Sequence, residues 1–296
     1  MGNPSASLSN VTVSYGRVLA LDGFDLEIPS RGVHGLLGRN GAGKTTAIRA
    51  LLGLLHLKGG SVCVLGADPV KTPETRRRIS VLFSEDGLLP ALTVMENLSV
   101  WCGFYGCSPG ECADLTTGSL EAFGMLHAAK TPVKDLSTGN RRAVAMARVF
   151  AVPSDLVVLD EPTASLDPVK ASEVRAVIKG CAGDRPVLLS THNMSEAESV
   201  CESITMVHRG KRVLHGETGA LTASSGFFVR TTGGAVVHRG EVLSPGPDGA
   251  VILESPLPAS ELLESLIAQG NRVEEFRRAG RNLEDVFMSL AREEGE

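Results

Sequence analysis

Residues 32–55, GVHGLLGRNGAGKTTAIRALLGLL, are the stretch of the chain that decides its fold. The apolar run 32–37 predicts a strand, and 44–55 predicts a helix because apolar side chains recur on one face at helical spacing. Between them, residues 38–45 match the pattern GxxxxGK(S/T). Glycines let the backbone N–H groups of such a loop close around phosphate oxygens, and the helix N-terminus adds partial positive charge. The sequence therefore predicts a phosphate-binding loop between strand and helix.

This loop supplies the first candidate ligands for a nucleotide and its metal. Lys44 is expected to reach the β- and γ-phosphates, and the Thr45 hydroxyl is expected to ligate Mg²⁺. The loop residues predicted to bind the nucleotide are Gly38, Asn40, Gly41, Gly43, Lys44, Thr45 and Thr46.

A second stretch places two acids at the end of an apolar strand. Residues 156–161 read LVVLDE, and ligands of open parallel sheets bind at the carboxyl ends of the strands. Asp160 is therefore expected to hold Mg²⁺, and Glu161 is expected to orient or deprotonate an attacking water. Without the glycine-rich loop, two acids that merely cap a strand before Pro162 would be an equally good interpretation.

Elsewhere the chain alternates short apolar strands with helices. The runs LVVLD, 156–160, and PVLLS, 186–190, are separated by a helical pattern, which is typical of a parallel sheet covered on both faces. Two earlier strands, 6–15 and 18–28, look antiparallel, and 93–123 looks mostly helical. We expect an α/β fold with a mostly parallel sheet, an antiparallel β subdomain and an inserted helical subdomain.

A small polar segment, LTASSG at 221–226, divides the chain into two predicted domains. The first, 6–222, carries the motifs and includes the helical subdomain at about 85–150. The second, 226–296, is predicted to be a small accessory α+β domain. Its two predicted helices are 260–269 and 282–292.

Composition excludes several classes of protein. The 296 residues include 29 Lys and Arg against 34 Asp and Glu, so the basic excess of a dedicated nucleic-acid binder is missing. The apolar run 50–57 is broken by Gly53 and His56 and is too short to span a bilayer. Residues 1–10 lack the features of a signal peptide. We expect a chain that stays in the cytoplasm, binds no nucleic acid and keeps its six cysteines reduced, without a disulfide framework or metal cluster.

Three shorter motifs accompany the two stretches above. LSTGN resembles the signature LSGGQ, and its Ser137 precedes Asp160 by 23 positions; SLD resembles a D-loop; and TH follows the strand PVLLS. In this order, the five motifs resemble those of the ABC-type ATPases, the nucleotide-binding subunits of ATP-binding-cassette transporters. The motifs lie at 38–46, 136–140, 156–162, 165–167 and 191–192, and the resemblance covers about residues 6–222.

The resemblance implies a P-loop NTPase core that binds and hydrolyses ATP with Mg²⁺, as a head-to-tail dimer with a second copy or a paralogue. Ser137 and Gly139 of one subunit would face the γ-phosphate held by the other, and Asp167 would be a further nucleotide-binding residue. His192 would contact the γ-phosphate and the attacking water, and Tyr15 would stack on adenine. The predicted catalytic residues are Lys44, Glu161 and His192.

The resemblance also implies a partner and a location. A membrane permease on a separate chain would receive the motion of dimer closure through the helical segment after Ser84. The ATPase would then lie on the cytoplasmic face of the cell membrane, held there through the permease. The Ser-Thr-Gly order of the signature and the ending NLEDVF at 282–287 resemble the branch that serves exporters of drugs and polysaccharides.

Three positions depart from the family pattern: Ser84, and Thr138 and Asn140 in the signature, where Asn140 stands for Gln. Ser84 stands where the family usually has Gln, and because serine is shorter we expect a water to bridge Ser84 to Mg²⁺, or Ser84 to lie one shell further from the metal. Thr138 replaces a glycine of the signature and adds a Cβ, which predicts slower closure of the dimer on ATP.

These departures leave open a catalytically weakened or regulatory subunit. A non-transport ABC protein acting on ribosomes or DNA is the other alternative. Such proteins usually carry two cassettes on one chain or a long coiled coil, and this sequence shows neither feature.

Overall fold

The computed structural model describes the chain in six stretches, which are 4–164, 166–183, 185–223, 226–246, 249–279 and 282–287. The chain forms two compact units, 1–218 and 219–296. The predicted linker, 221–226, begins just after this division.

The first unit combines strands and helices in alternation. Its strands are β1 (Ala6–Tyr15), β2 (Val18–Ile28), β3 (Val33–Leu37), β4 (Gly59–Val64), β5 (Ile79–Leu82), β6 (Leu156–Asp160), β7 (Val187–Thr191), β8 (Ser203–His208) and β9 (Lys211–Glu217). Its helices are α1 (Lys44–Leu51), α2 (Val94–Phe104), α3 (Pro109–Ala122), α4 (Thr138–Ala151), α5 (Pro168–Cys181) and α6 (Met194–Val200), and the short α7 (Thr218–Leu221) follows β9. Short 3₁₀ turns lie at Pro73–Arg78, Leu126–Ala128 and Val133–Asp135.

A six-stranded sheet in the order β5-β6-β7-β3-β8-β9 forms the centre of this unit. All its neighbouring pairs are parallel except β8 with β9, which confirms the predicted, mostly parallel sheet. Every residue of β3, β6 and β7 is buried, as expected of strands covered on both faces. In register, Asp160 pairs with Ser190 and Leu37 with Thr191. This register brings the loops after β3, β6 and β7 to one edge of the sheet.

The predicted antiparallel subdomain is a three-stranded sheet in the order β2-β1-β4. It shares one hydrophobic core with α1 and the central sheet, in which Phe24, Ile48 and Val158 are all fully buried. The helix after the glycine-rich loop is therefore held in the core by apolar packing on both sheets. This packing fixes the loop relative to the acids at the end of β6.

Helix α1 ends at Leu51, four residues before the predicted end at residue 55. Leu52 is the C-cap, and Gly53 adopts a left-handed φ of 64°. A left-handed glycine just after the last turn is a common helix stop, so the apolar periodicity continues beyond the helix itself.

The segment predicted as mostly helical, 93–123, consists of the two helices α2 and α3. Thr93 and Ser108 begin them with capping boxes, in which each hydroxyl accepts from a backbone N–H three residues on and a glutamate side chain bonds back. Both helices and α4 pack on one another to form the helical part of the unit.

The second unit is a small α+β structure. Its strands are β10 (Gly226–Thr231), β11 (Val236–His238), β12 (Glu241–Leu243), β13 (Val251–Glu254) and β14 (Val273–Arg278), and its helix is α8 (Ala259–Ala268). Strands β13-β10-β14 form one antiparallel sheet and β11-β12 another. Residues 283–287 are helical, and the rest of the predicted helix, 288–292, lies outside the described residues.

Within the described stretches, no helix is long and apolar enough to cross a bilayer. No disulfide joins any of the six cysteines, all of which lie in the described stretches, and Cys102, Cys112 and Cys201 are buried. The same stretches contain no group of three or more His, Cys, Asp or Glu side chains able to hold a metal ion.

Candidate nucleotide-binding and hydrolysis site

The loop between β3 and α1 requires glycine at two positions. A Cβ on Gly38 would lie 2.4 Å from the carbonyl oxygen of Val207. Gly43 has a φ of 116°, and a Cβ there would lie 2.8 Å from the carbonyl oxygen of Ala20. The loop is therefore a close-packed turn that other residues could not form, and it ends where α1 begins.

Lys44 opens α1 and is 6% exposed. Its Nζ donates to the carbonyl oxygens of Gly38 at 2.7 Å and Arg39 at 3.3 Å, so it folds back over its own loop. The same Nζ lies 3.1 Å from Glu161 Oε1. A lysine this buried needs a partner of opposite charge, and the partner is the acid that follows β6.

Thr45 and Asp160 form a second contact between α1 and the end of β6. Thr45 Oγ1 donates to Asp160 Oδ2 at 2.9 Å, and Ser190 Oγ donates to Asp160 Oδ1. Asp160 is 1% exposed, and the two hydroxyl bonds satisfy its buried carboxylate. A hydroxyl and a carboxylate side by side are oxygen ligands of the kind that Mg²⁺ prefers, so these residues fit the predicted metal.

Glu161 stands in an unusual backbone conformation, with a φ of 51°. Its N–H donates to Ser190, at 3.1 Å to the carbonyl oxygen and 3.2 Å to Oγ. Its Oε2 lies 2.8 Å from His192 Nδ1, while its Oε1 accepts no hydrogen bond from the described residues although Lys44 is close. The carboxylate thus lies between the loop lysine and the histidine after β7.

The signature segment begins α4. Ser137 is its exposed N-cap and accepts from the backbone N–H of Asn140 at 3.3 Å. Thr138, Ser84 and Glu161 line one pocket of about 330 Å³. Ser84 and Thr138, two of the three positions that depart from the family pattern, therefore face the same space as the predicted catalytic acid.

The remaining predicted residues lie around this cluster. Asn40 and Gly41 are exposed at the loop, Thr46 is partly buried on α1, and a Cβ on Gly139 would lie 3.8 Å from Leu166. Ser165, the first residue of the D-loop motif, lies outside the described residues.

Tyr15 and Asp167, which are also predicted to bind the nucleotide, make no hydrogen bond to the loop within the described stretches. Tyr15 is 47% exposed at the end of β1. Asp167 is the N-cap of α5 and accepts from the backbone N–H groups of Val169 and Lys170, both at 3.0 Å.

Three residues of the site did not stand out in the sequence. Ser190 bonds both Asp160 and Glu161, and Glu196, 2% exposed, accepts from the hydroxyls of Thr163 and Thr191. Arg142 contacts the loops after β5 and β6. Only Glu196 carries a local signal, since it lies three residues after the N-cap Asn193.

The fold and the site define a P-loop ATPase with a signature helix. A family model described as "ABC transporter" matches residues 21–164. The Nod factor export ATP-binding protein I of Cupriavidus metallidurans is 32% identical over 295 residues, which cover 96% of this chain and 96% of that protein. The daunorubicin/doxorubicin resistance ATP-binding protein DrrA of Streptomyces peucetius is 36% identical over 223 residues, covering 75% of this chain and 68% of that protein.

Solved structures agree with these relatives. An ATP-binding subunit of an ABC transporter superposes with a TM-score of 0.67 at 26% identity, over 73% of this chain and 91% of that one. A dimeric bacterial ABC transporter cassette has the same fold, with a TM-score of 0.65 at 24% identity over 72% of this chain and 98% of that one. The chain belongs to the ABC transporter family. It is an ATP-binding subunit of the exporter type, an ATPase whose activity is coupled to transport.

Proposed function

We propose that this chain hydrolyses ATP at the cluster of Lys44, Thr45, Asp160, Glu161 and His192. The observation that carries the proposal is a double contact. In the first turn of α1, Lys44 lies 3.1 Å from Glu161, and Thr45 bonds Asp160 at 2.9 Å. The phosphate-binding loop and the two acids at the end of β6 are thus joined at the edge of the sheet where ligands of parallel sheets bind.

Each side chain has a chemical task in this arrangement. Lys44 supplies positive charge to the β- and γ-phosphates. Glu161 accepts a proton from the attacking water, whose oxygen bonds the γ-phosphorus while the bond from phosphorus to the leaving ADP oxygen breaks. His192, 2.8 Å from Glu161, orients that carboxylate and contacts the γ-phosphate.

Mg²⁺, when bound, would neutralise charge that develops on the phosphates. Thr45 would hold it together with phosphate oxygens and waters, with Asp160 nearby. Ser84 is exposed at the pocket that Glu161 lines, which supports an indirect role for Ser84 through water.

A second ATPase subunit would complete the site. Ser137 and Thr138 are exposed at the N-terminus of the 14-residue helix α4, where backbone N–H groups attract anions. The bacterial cassette of the same fold is described as dimeric. We infer a head-to-tail dimer in which this N-terminus faces the γ-phosphate held by the other subunit.

A groove beside β5 is our candidate for the permease contact. Its volume is about 270 Å³, and Phe83, Trp101 and Tyr105 are among the side chains that line it. Arg148 also lines it, is 5% exposed, and its Nε has no hydrogen-bond partner in the described part of the chain. Burial lowers the pKa of Arg148 to about 10. The guanidinium lies over the Trp101 ring, 4.3 Å from its centroid, and donates to the Val81 carbonyl. The aromatic lining and the positive charge of Arg148 fit a permease helix that presents apolar side chains with a carboxylate or its own C-terminal carbonyls.

This contact would hold the ATPase at the cytoplasmic face of the membrane. We expect a polytopic membrane protein to co-purify with the wild-type chain and to be identified by mass spectrometry. Trp101→Ala should reduce its recovery, while Leu115→Ala, an exposed residue on α3, should not. Equal recovery with both variants would contradict this groove as the docking place.

The test of the ATPase assignment is Lys44→Ala. Because Lys44 is the loop's phosphate contact, the variant should lose nucleotide binding, or its kcat should fall by about 10²-fold or more. Lys71→Ala is the control, since Lys71 is 83% exposed and pairs with Asp68 outside the site. Unchanged hydrolysis by Lys44→Ala would refute the assignment. A wild-type chain that binds ATP without hydrolysing it would favour the alternative of a regulatory subunit.

A further inference from the structure

Arg142 uses all its donors on backbone carbonyls. It lies on α4, five residues after Ser137, and is 8% exposed. The five bonds run from Nε to Pro162 at 3.0 Å, from Nη1 to Phe83 at 3.0 Å and Ser84 at 3.2 Å, and from Nη2 to Asp160 at 3.1 Å and Glu161 at 2.7 Å.

These carbonyls lie at the end of β6 and in the two loops that follow the neighbouring strands β5 and β6. Strands β5 and β6 pair in parallel, and the last pair in register is Leu82 with Leu159. Beyond it the ladder ends, so the carbonyls that follow need donors from elsewhere. One side chain on α4 supplies donors to both loops, and one loop carries Ser84 while the other carries Glu161.

The bond to Glu161 does more than satisfy a carbonyl. The left-handed φ of Glu161 is disfavoured for a residue with a side chain and persists only where neighbours hold it. Ser190 binds the N–H of Glu161, and Arg142 binds its carbonyl at 2.7 Å, the shortest of the five bonds. The backbone of Glu161 is therefore held on both sides, which directs its carboxylate toward Lys44 and His192.

The preceding residue on the same helix, Arg141, contacts the same region. Arg141 pairs with Asp86 at 2.5 Å, in the loop after β5. Burial lowers the pKa of Arg142, while Asp86, Asp160 and Glu161 act to raise it. The first turns of α4 are thus held by hydrogen bonds and an ion pair to the loops that carry Ser84 and Glu161.

We infer that Arg142 is a positioning residue for ATP hydrolysis, which transmits the position of the α4 N-terminus to the backbones of Glu161 and Ser84. The Arg142 guanidinium lies about one turn further along the helix than Ser137 and Thr138. Any shift of these two residues toward a γ-phosphate therefore moves the guanidinium as well. The five carbonyls then move with it. This inference rests on the proposed role of Glu161.

The test separates positioning from folding by kinetics. Arg142→Met removes the donors at similar volume, and because small misplacements of a catalytic group are costly, kcat should fall by about 10²-fold while the ATP dissociation constant stays unchanged. Arg142→Lys keeps the positive charge but has fewer hydrogen-bond donors, so its kcat should lie between that of Arg142→Met and that of the wild type. In the Glu161→Gln background, Arg142→Met should change kcat by no more than about twofold, because two residues that act through one group are not additive.

Arg185→Met is the matched control. Arg185 donates to the carbonyls of Phe150 and Val152 near the other end of α4, so its loss should lower the unfolding temperature and leave kcat unchanged. If Arg142→Met does not fold, the same cycle is run with Arg142→Lys. A wild-type kcat, or a loss that multiplies in full with Glu161→Gln, would overturn the inference. If Glu161→Gln itself hydrolyses ATP normally, the proposed function fails first, and the two failures are distinguishable.

Discussion

Single residues decide the chemistry through contacts between distant parts of the chain. Glu161 lies between Lys44 and His192, and Asp160 lies between Thr45 and Ser190. Each acid therefore contacts one residue of the first turn of α1 and one residue at or just after the end of β7. Movement of either element changes the setting of both carboxylates.

The Ser84 hydroxyl makes no hydrogen bond within the described stretches and is exposed. We expect Ser84→Ala to change kcat little. Ser84→Gln should raise kcat or tighten its dependence on Mg²⁺, because the longer side chain carries a carbonyl to the metal. The measurement is steady-state ATPase activity titrated with Mg²⁺, with the permease present. A loss of activity in Ser84→Ala as complete as that in Lys44→Ala would mean that the serine is a direct, indispensable ligand, and it would contradict a water-bridged role.

Local sequence patterns predicted the residues whose position depends on one strand and the turn after it. The GxxxxGK(S/T) loop and LVVLDE pointed to Lys44 and Glu161, which the structure brings together. Ser190 and Arg142 could not be predicted in this way. Their bonding depends on which strands are neighbours and where the β5–β6 ladder ends, and neither fact is local in sequence.

At the scale of helices and strands, burial explains which predictions succeeded. Strands β1, β2 and β6 have the predicted bounds, and β6 is a continuous apolar run covered on both sides. Strand β14, VEEFRR, was not predicted because its four charged residues obscure the alternation of apolar and polar positions. Strands β11 and β12 were not predicted because each is only three residues long. Helix α1 was predicted too long because its apolar spacing continues past Gly53.

A buried histidine on β3 predicts a dependence of stability on pH. His34 is 1% exposed; its Nδ1 lies 2.8 Å from Ser203 Oγ and its Nε2 lies 2.9 Å from Thr205 Oγ1. Burial, with His215 nearby, lowers the pKa of His34 to about 3. The unfolded chain takes up a proton near pH 6.5 while the folded chain does not, so stability is lost as pH falls below 6.5.

We therefore expect the free energy of unfolding to fall by about 1 kcal/mol through His34 when the pH is lowered from 7 to 5.5. Urea unfolding of His34→Gln at the two pH values should show a smaller difference than the wild type by that amount. His127→Gln, at an exposed position, is the control and should keep the wild-type difference. An unaltered pH difference in His34→Gln would mean that other groups cause it.

At the scale of the whole chain, the two units predict a division of labour. Every residue proposed to bind or hydrolyse ATP lies in 1–218. A shortened chain ending at Ser224 should fold and bind ATP with unchanged affinity, measured by titration of a fluorescent nucleotide. We propose that the second unit tunes dimerisation or the contact with the permease. A folded, soluble shortened chain that cannot bind ATP would refute this division.

Family membership was predictable from the order of five motifs, because their order and spacing can be read from the sequence without knowledge of the fold. The pairing of two subunits rests on the family and on the exposed start of α4. One measurement tests both the chemistry and this pairing.

That measurement compares Glu161→Gln with the wild type for hydrolysis and for size in the presence of Mg²⁺ and ATP. Removing the proton acceptor should slow hydrolysis by about 10²–10⁴-fold and leave ATP binding intact. Gel filtration should then show Glu161→Gln at twice the mass of the 31.1 kDa chain, while Glu121→Gln, on the exposed side of α3, should behave as the wild type. Hydrolysis by Glu161→Gln at the wild-type rate, without an ATP-dependent dimer, would contradict the account.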